Sequence, residues 1–290
     1  MGVVIKQSVQ SSIVSYFGIG VGFVNTILLF PKMLSLEEIG LFKLLLSFCI
    51  ILMPILQFNG SAAFTKFYPF YQKKDTYNSF ITFFLLLPLL GLLLLGIVFL
   101  FWKDSLFLML FSEKSPLFID YSWTLLPLVF FFMFSNLLET ILFTNLKSVF
   151  ATFLKTVIVR VLTTSIVLLY HFDFISQQEL LLGFISIYGI QFFVLSIYFL
   201  KLSSFKFSNP SRIFKTEQFK KIKLYMLVIF IGGGGAALVT QIDSVMLASK
   251  LGLEYTGIYT IAFFIAVVIE IPRRSIIQIV SPLISQSIEQ

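Results

Sequence analysis

The 290-residue chain is poor in the residues that soluble proteins place on their surfaces. Charged side chains make up only 12% of it, about half the share of a soluble domain. It has one cysteine, Cys49, and one histidine, His171. A lone cysteine excludes an intrachain disulfide and a cysteine-based metal site, and a lone histidine excludes a multi-histidine metal or catalytic centre. No G-x-x-x-x-G-K-[ST] pattern occurs, so ATP hydrolysis by a P-loop is not expected. No A-x-A-like site follows the first apolar stretch, which therefore reads as a retained span and not as a removed signal. What is abundant is apolar: 58% of residues are hydrophobic, 37 of them Phe, and the mean hydropathy is +0.98. So few polar side chains could not cover that much apolar surface in water. A soluble enzyme, a nucleic-acid binder and a disordered chain are excluded, and a polytopic membrane protein remains.

Eight stretches reach the roughly 20 apolar residues that a helix needs to cross the hydrocarbon. They cover residues 9–30, 39–60, 79–101, 117–143, 149–170, 180–200, 224–248 and 255–280. Continuous apolar runs do not fit the alternation of a barrel strand, so all eight are expected to be helices in an all-α integral membrane protein. Pro54, Pro88, Pro127 and Pro272 fall within these runs, and each is expected to kink its helix.

With the N-terminus in the cytoplasm, fifteen of the 21 Lys and Arg residues fall in inside segments and only Lys32, Lys103, Lys114 and Lys250 fall outside. Acids show the opposite bias, with Glu37, Glu38, Asp104, Glu113, Asp120, Asp173, Glu179 and Glu254 outside. The positive-inside asymmetry predicts a cytoplasmic N-terminus. The longest inside loop, 201–223, is also the most basic. It divides the chain into a six-helix bundle over 1–200, a basic cytoplasmic linker over 201–223, and the first two helices of a second bundle over 224–290. The same loop suits binding of lipid headgroups.

An internal repeat supports the division. At an offset of 217, Leu34, Leu36, Glu37 and Gly40 recur as Leu251, Leu253, Glu254 and Gly257. Each set forms an outside turn between two spans. Each preceding span carries glycines: Gly18-x-x-x-Gly22 in the first, a small-residue packing motif, and Gly232–Gly235 in the seventh. Four successive glycines lower helix propensity by several kcal/mol in sum, so a bendable or unwound segment is expected there. Six intervening spans make the repeats parallel, about an axis along the membrane normal, which is a transporter plan.

The stretch Gln241-Ile242-Asp243-Ser244-Val245-Met246-Leu247, its turn, and Gly257-Ile258-Tyr259-Thr260-Ile261-Ala262 resemble the MOP exporter superfamily (multidrug, oligosaccharidyl-lipid, polysaccharide). Within it the chain is most similar to the polysaccharide-biosynthesis flippases of the O-antigen type. The Leu-Glu-Glu-Ile-Gly-Leu-Phe turn after a glycine-bearing first span has the same look. The resemblance implies two bundles around a central cavity. Family members have at least six helices in each bundle and this chain only two in its second, so a shortened or truncated second bundle is the expectation.

Ionisable residues inside spans are the candidate site, since each costs about 2.5–3.5 kcal/mol at mid-membrane unless it finds a partner or a wet cavity. Arg160 reads as a cavity cation for a diphosphate or acidic sugar, or as a partner of Glu139. Lys155 lies nearer the depth of Glu139 and suits a structural pair or snorkelling. Arg273 and Arg274 map by the repeat onto Leu56 and Gln57, which favours a cavity position; a positive-inside stop is the other reading. Lys43 could close the outer cavity, or snorkel. Asp243 could bind a coupling cation, pair with Lys43, or cap structure. Asn25 and Gln241 are candidate polar cavity residues; for them and for Gln57, Asn59, Asn136 and Gln191, interhelical hydrogen bonding is the stronger expectation.

The reading that results is a transporter, not an enzyme, with no cofactor. It would carry a lipid-linked, polyprenyl-diphosphate oligosaccharide across a bacterial inner membrane for cell-surface polysaccharide. Its partners would be that substrate, membrane lipids and polysaccharide-assembly proteins, with no nucleic acid. A cation-coupled multidrug exporter of the same fold is the alternative, with Glu139 as its one buried acid. A membrane glycan polymerase or glycosyltransferase, suggested by Glu37 and Glu38, is a third; the short outer loops speak against it.

Overall fold

A computed structural model describes residues 2–111, 114–202 and 205–267, and among them every regular element is helical. The first helix, α1, runs Gly2–Phe23 and continues through a π-helical segment, Val24–Leu29, into Phe30–Met33. It is followed by α2 (Leu36–Leu56), α3 (Gly60–Tyr71) and α4 (Tyr77–Phe111). Then come α5 (Ser122–Thr144), α6 (Ser148–His171), α7 (Gln177–Leu202), α8 (Glu217–Lys250) and α9 (Leu253–Val267). Seven helices are long and apolar enough to cross a membrane: α1, α2 and α4 through α8. The eighth predicted span is represented by α9, and Arg273 and Arg274 lie outside the described residues.

Burial sorts these helices into two kinds. Half or more of the apolar stretch is buried in α2, α5 and α7, against 17–22% in α1, α4, α6 and α8. Leu90, Leu93 and Leu94 of α4 and Val239 of α8 point out of the protein. Such a surface is stable only against lipid. The chain is an all-α integral membrane protein.

Glu38 shows how local chemistry sets a helix start. Ser35 Oγ accepts from the Glu38 backbone N–H at 3.2 Å, and Glu38 Oε2 accepts from the Ser35 N–H at 2.8 Å. This reciprocal capping box satisfies two orphan donors at the head of α2. Glu38 Oε1 also accepts from the Tyr170 hydroxyl at 2.6 Å. The carboxylate that had suggested glycan chemistry thus ties α2 to α6.

The repeated segments meet each other. A Cβ added at Gly40 would overlap the Leu253 carbonyl oxygen, and one at Gly257 would overlap the Leu36 carbonyl oxygen. The offset of 217 carries Leu36 to Leu253 and Gly40 to Gly257, so the contact is reciprocal, as across a two-fold axis. Gly252, at φ +108°, ends α8: its N–H reaches the Leu247 carbonyl at 3.0 Å, a closure that needs a left-handed residue.

Several expected boundaries move. The predicted span 39–60 is broken: α2 ends at Leu56, Phe58 and Asn59 adopt left-handed φ of 49° and 52°, and α3 starts at Gly60. Pro54 has no N–H to continue the ladder, and polar side chains hold the break. Gln57 Nε2 donates to the Met133 carbonyl at 2.8 Å, and Asn59 Nδ2 donates to the Ile229 carbonyl of α8 at 3.1 Å. Gly232–Gly235, expected to be bendable or unwound, is wound: α8 is helical throughout. The span predicted to end at 101 continues as α4 to Phe111, because Phe107 and Phe111 pack on Phe118 past the Lys103-Asp104-Ser105 step. The predicted span 117–143 opens with a separate short helix, Pro116–Asp120, before α5. The basic linker is docked: Ile213 and Ile222 are buried with Tyr71, Phe80 and Phe84, and the Tyr71 and Thr216 hydroxyls lie 2.8 Å apart.

Candidate functional site

A cavity of about 390 Å³ lies between α1, α2, α5, α6 and α7, with Thr260 and Phe264 of α9 on its wall. Lys43, Lys155, Arg160, Glu139 and Asn25 all line it. The structure thus brings five of the predicted site residues to one place, with three cations against a single carboxylate.

Arg160 reaches the cavity across the glycine stripe of α1. Its Nη1 donates to the Gly18 carbonyl. A Cβ at Gly18 would stand 2.6 Å from Thr156 Cβ, and one at Gly22 would stand 2.8 Å from the Arg160 guanidinium carbon. The Gly18-x-x-x-Gly22 motif therefore makes room for α6 and for one arginine in particular. Asn25 completes the joint: its Nδ2 donates to the Arg160 carbonyl at 3.1 Å and its Oδ1 accepts from Thr164 Oγ1 at 2.8 Å. Asn25 is an interhelical amide at the cavity wall.

Glu139 is not the partner of Arg160. Its Oε2 accepts from Lys155 Nζ at 2.7 Å and its Oε1 from Gln191 Nε2 at 2.9 Å. Glu139 is buried, whereas the Lys155 side chain is 46% exposed. Arg160 thus has no carboxylate partner in the described site and remains a cation held by backbone oxygen.

Lys43 belongs to a second joint. Gln241 Oε1 of α8 accepts from Lys43 Nζ at 2.9 Å and from Ser47 Oγ at 3.0 Å. The Lys43 ammonium also stands 5.5 Å from the Phe263 ring centre of α9. Asp243 acts on Lys43 as a nearby charge while the amide takes its hydrogen bond, and Asp243 Oδ2 accepts from the Tyr259 hydroxyl at 3.0 Å. Gln241 and Asp243 both lie off the cavity wall, with Gln241 linked to it through Lys43.

Two features escaped the sequence reading. Asn25 and Lys155 each sit in a π-helical segment, Val24–Leu29 and Leu154–Ile158, a distortion that recurs at functional sites. Ser135 lines the cavity beside Asn136, on the α5 face that carries Glu139 one turn on. That face could have been found from Ser135, Asn136 and Glu139, spaced i, i+1 and i+4 in an otherwise apolar run. Among the described residues, no three His, Cys, Asp or Glu side chains gather as a metal site would require.

The model of the family described as polysaccharide biosynthesis protein matches residues 5–288. The chain belongs to that family. No curated protein and no solved structure matches it. It is a multi-pass membrane protein of polysaccharide biosynthesis, with a cation-rich cavity in its helical bundle.

Proposed function

We propose that the chain is a flippase that moves a polyprenyl-diphosphate oligosaccharide across the bacterial cytoplasmic membrane, with its N-terminus in the cytoplasm. The observation that carries this reading is the excess of positive charge on the cavity wall, with no carboxylate bonded to Arg160 among the described residues. Placing a guanidinium there is costly without an anion to meet, and a diphosphate meets a guanidinium through paired, charge-assisted hydrogen bonds. The polyprenyl tail stays in lipid while the polar head passes through the cavity. No covalent step is needed. An ion gradient could drive the cycle, or the membrane potential at about 2.3 kcal/mol per charge per 100 mV. Polysaccharide-assembly proteins are the expected partners. A drug exporter of the same fold would rest on Glu139, but that carboxylate is already held by Lys155 and Gln191.

Complementation of surface-glycan export by full-length variants tests the proposal. Arg160→Gln is expected to abolish export at normal membrane abundance. Normal surface glycan in that strain would remove Arg160 from the mechanism.

A further inference from the structure

We propose that Ser135 anchors a sugar-reading subsite, in which its hydroxyl bonds the first sugar ring next to the diphosphate. The inference rests on the flippase reading and deepens it.

Ser135 is 2% exposed, lines the cavity, and its Oγ has no hydrogen-bond partner. Other hydroxyls in these helices behave differently. Thr140, Thr156, Thr163 and Ser196 each donate to the carbonyl four residues back, at 2.7–2.9 Å. That is the usual resting state of a helical Ser or Thr. A buried hydroxyl left unmet costs about 1–3 kcal/mol. The second hydroxyl in that condition, Thr76 Oγ1, lies in the turn between α3 and α4, away from the cavity wall.

The surroundings of Ser135 suit a sugar. Each Glu139 oxygen takes one donor and has a lone pair to spare. Asn136 adds an amide, and Phe132, Phe184 and Tyr188 add aromatic rings to the lining of the same cavity. Planar hydrogen-bonding groups beside aromatic rings match a ring that is polar at its edge and apolar on its face. Arg160 follows Lys155 by five residues on α6, and both line the cavity with Ser135. The phosphate-binding cation and the proposed subsite thus share one cavity. At about 390 Å³ the cavity is at the small end of small-molecule sites. It fits a phosphate with one attached ring better than a whole glycan.

The test uses the purified full chain in nanodiscs and three probes: farnesyl diphosphate, farnesyl diphosphate bearing N-acetylglucosamine, and the same lipid bearing glucose. Wild type is expected to bind all three and to prefer at least one sugar-bearing probe. Ser135→Ala is expected to lose that preference by about three- to tenfold, the worth of one hydrogen bond, with farnesyl diphosphate affinity unchanged. Arg160→Gln is expected to weaken all three alike. The unliganded Tm of Ser135→Ala should equal or exceed that of wild type, since an unmet hydroxyl is removed. A lower Tm would show that the protein itself uses the hydroxyl, and would overturn the subsite. Equal binding of all three probes by wild type would also overturn it and leave the anion site standing. Failure of farnesyl diphosphate to bind wild type would overturn both readings.

Discussion

Two glycine-lined contacts in this molecule use the same device for different ends. Between α2 and α9, Gly40 and Gly257 bring backbone against backbone, each facing a carbonyl of the other segment. Between α1 and α6, Gly18 and Gly22 bring backbone against side chains, those of Thr156 and Arg160. The first contact is reciprocal and leaves no space. The second is one-sided and seats a cation at a cavity. Small residues let membrane helices approach closely in both cases. What differs is what the partner helix places in the gap. A close backbone joint results in one place, and a cation-bearing arm at a cavity in the other.

The comparison breaks most severely at the backbone joint. Gly40→Ala and Gly257→Ala each force a methyl group into a facing carbonyl. Each is expected to cost about 3 kcal/mol or more, the upper range of overpacking, and to be read as lost folded yield and lowered Tm. The two sites share one interface, so the double variant should cost less than the sum of the singles. Strict additivity would show that the two glycines do not face one joint.

Next in size is the cavity ion pair. Lys155→Met leaves Glu139 buried with Gln191 alone, at an expected cost of about 1–3 kcal/mol. That is below the loss from a fully buried pair, because the Lys155 side chain is only half-buried. Lys155→Met with Glu139→Gln should recover much of the loss, as a double-mutant cycle on Tm would show.

Gly22→Ala should sharpen the contrast between the joints. Its methyl group meets the movable end of Arg160 and not a backbone. Folded yield should fall by no more than about 1 kcal/mol of stability, while export falls several-fold as the guanidinium is pushed aside. The smallest effect is expected at Gln241→Ala, which unties Lys43 from α8 at a cost of about 1 kcal/mol, read as a small Tm shift.

The fold was largely written in the apolar runs. They placed every span that the structure shows, because a helix in lipid must be continuous and long enough to cross. The repeat at 217 could be read because the turn residues Leu36 and Gly40 have positional roles that their counterparts share. The break at 57–59 was hidden: Pro54 alone signals a kink, and the chain does not announce that Gln57 and Asn59 will be held by carbonyls of α5 and α8. The end of α4 was obscured by Lys103-Asp104-Ser105, a polar step that reads as an interface but is followed by Phe107 and Phe111 with aromatic partners. Charges marked the site residues Lys43, Lys155, Arg160 and Glu139. Their pairing depended on facing direction within helices, and the two π-helical segments that shift those directions leave no mark in composition. Ser135 marked a polar face with Asn136 and Glu139 but not its unmet hydroxyl, because a serine in an apolar helix ordinarily bonds its own backbone.

Labelling at position 160 tests the central claim most directly, namely that the cavity cation faces water. Arg160→Cys in a Cys49→Ala background gives one reactive thiol, since Cys49 is the only native cysteine. The account predicts that a membrane-impermeant, water-soluble thiol reagent labels it in inside-out vesicles. A thiol that stays unlabelled in vesicles of either orientation would contradict the account.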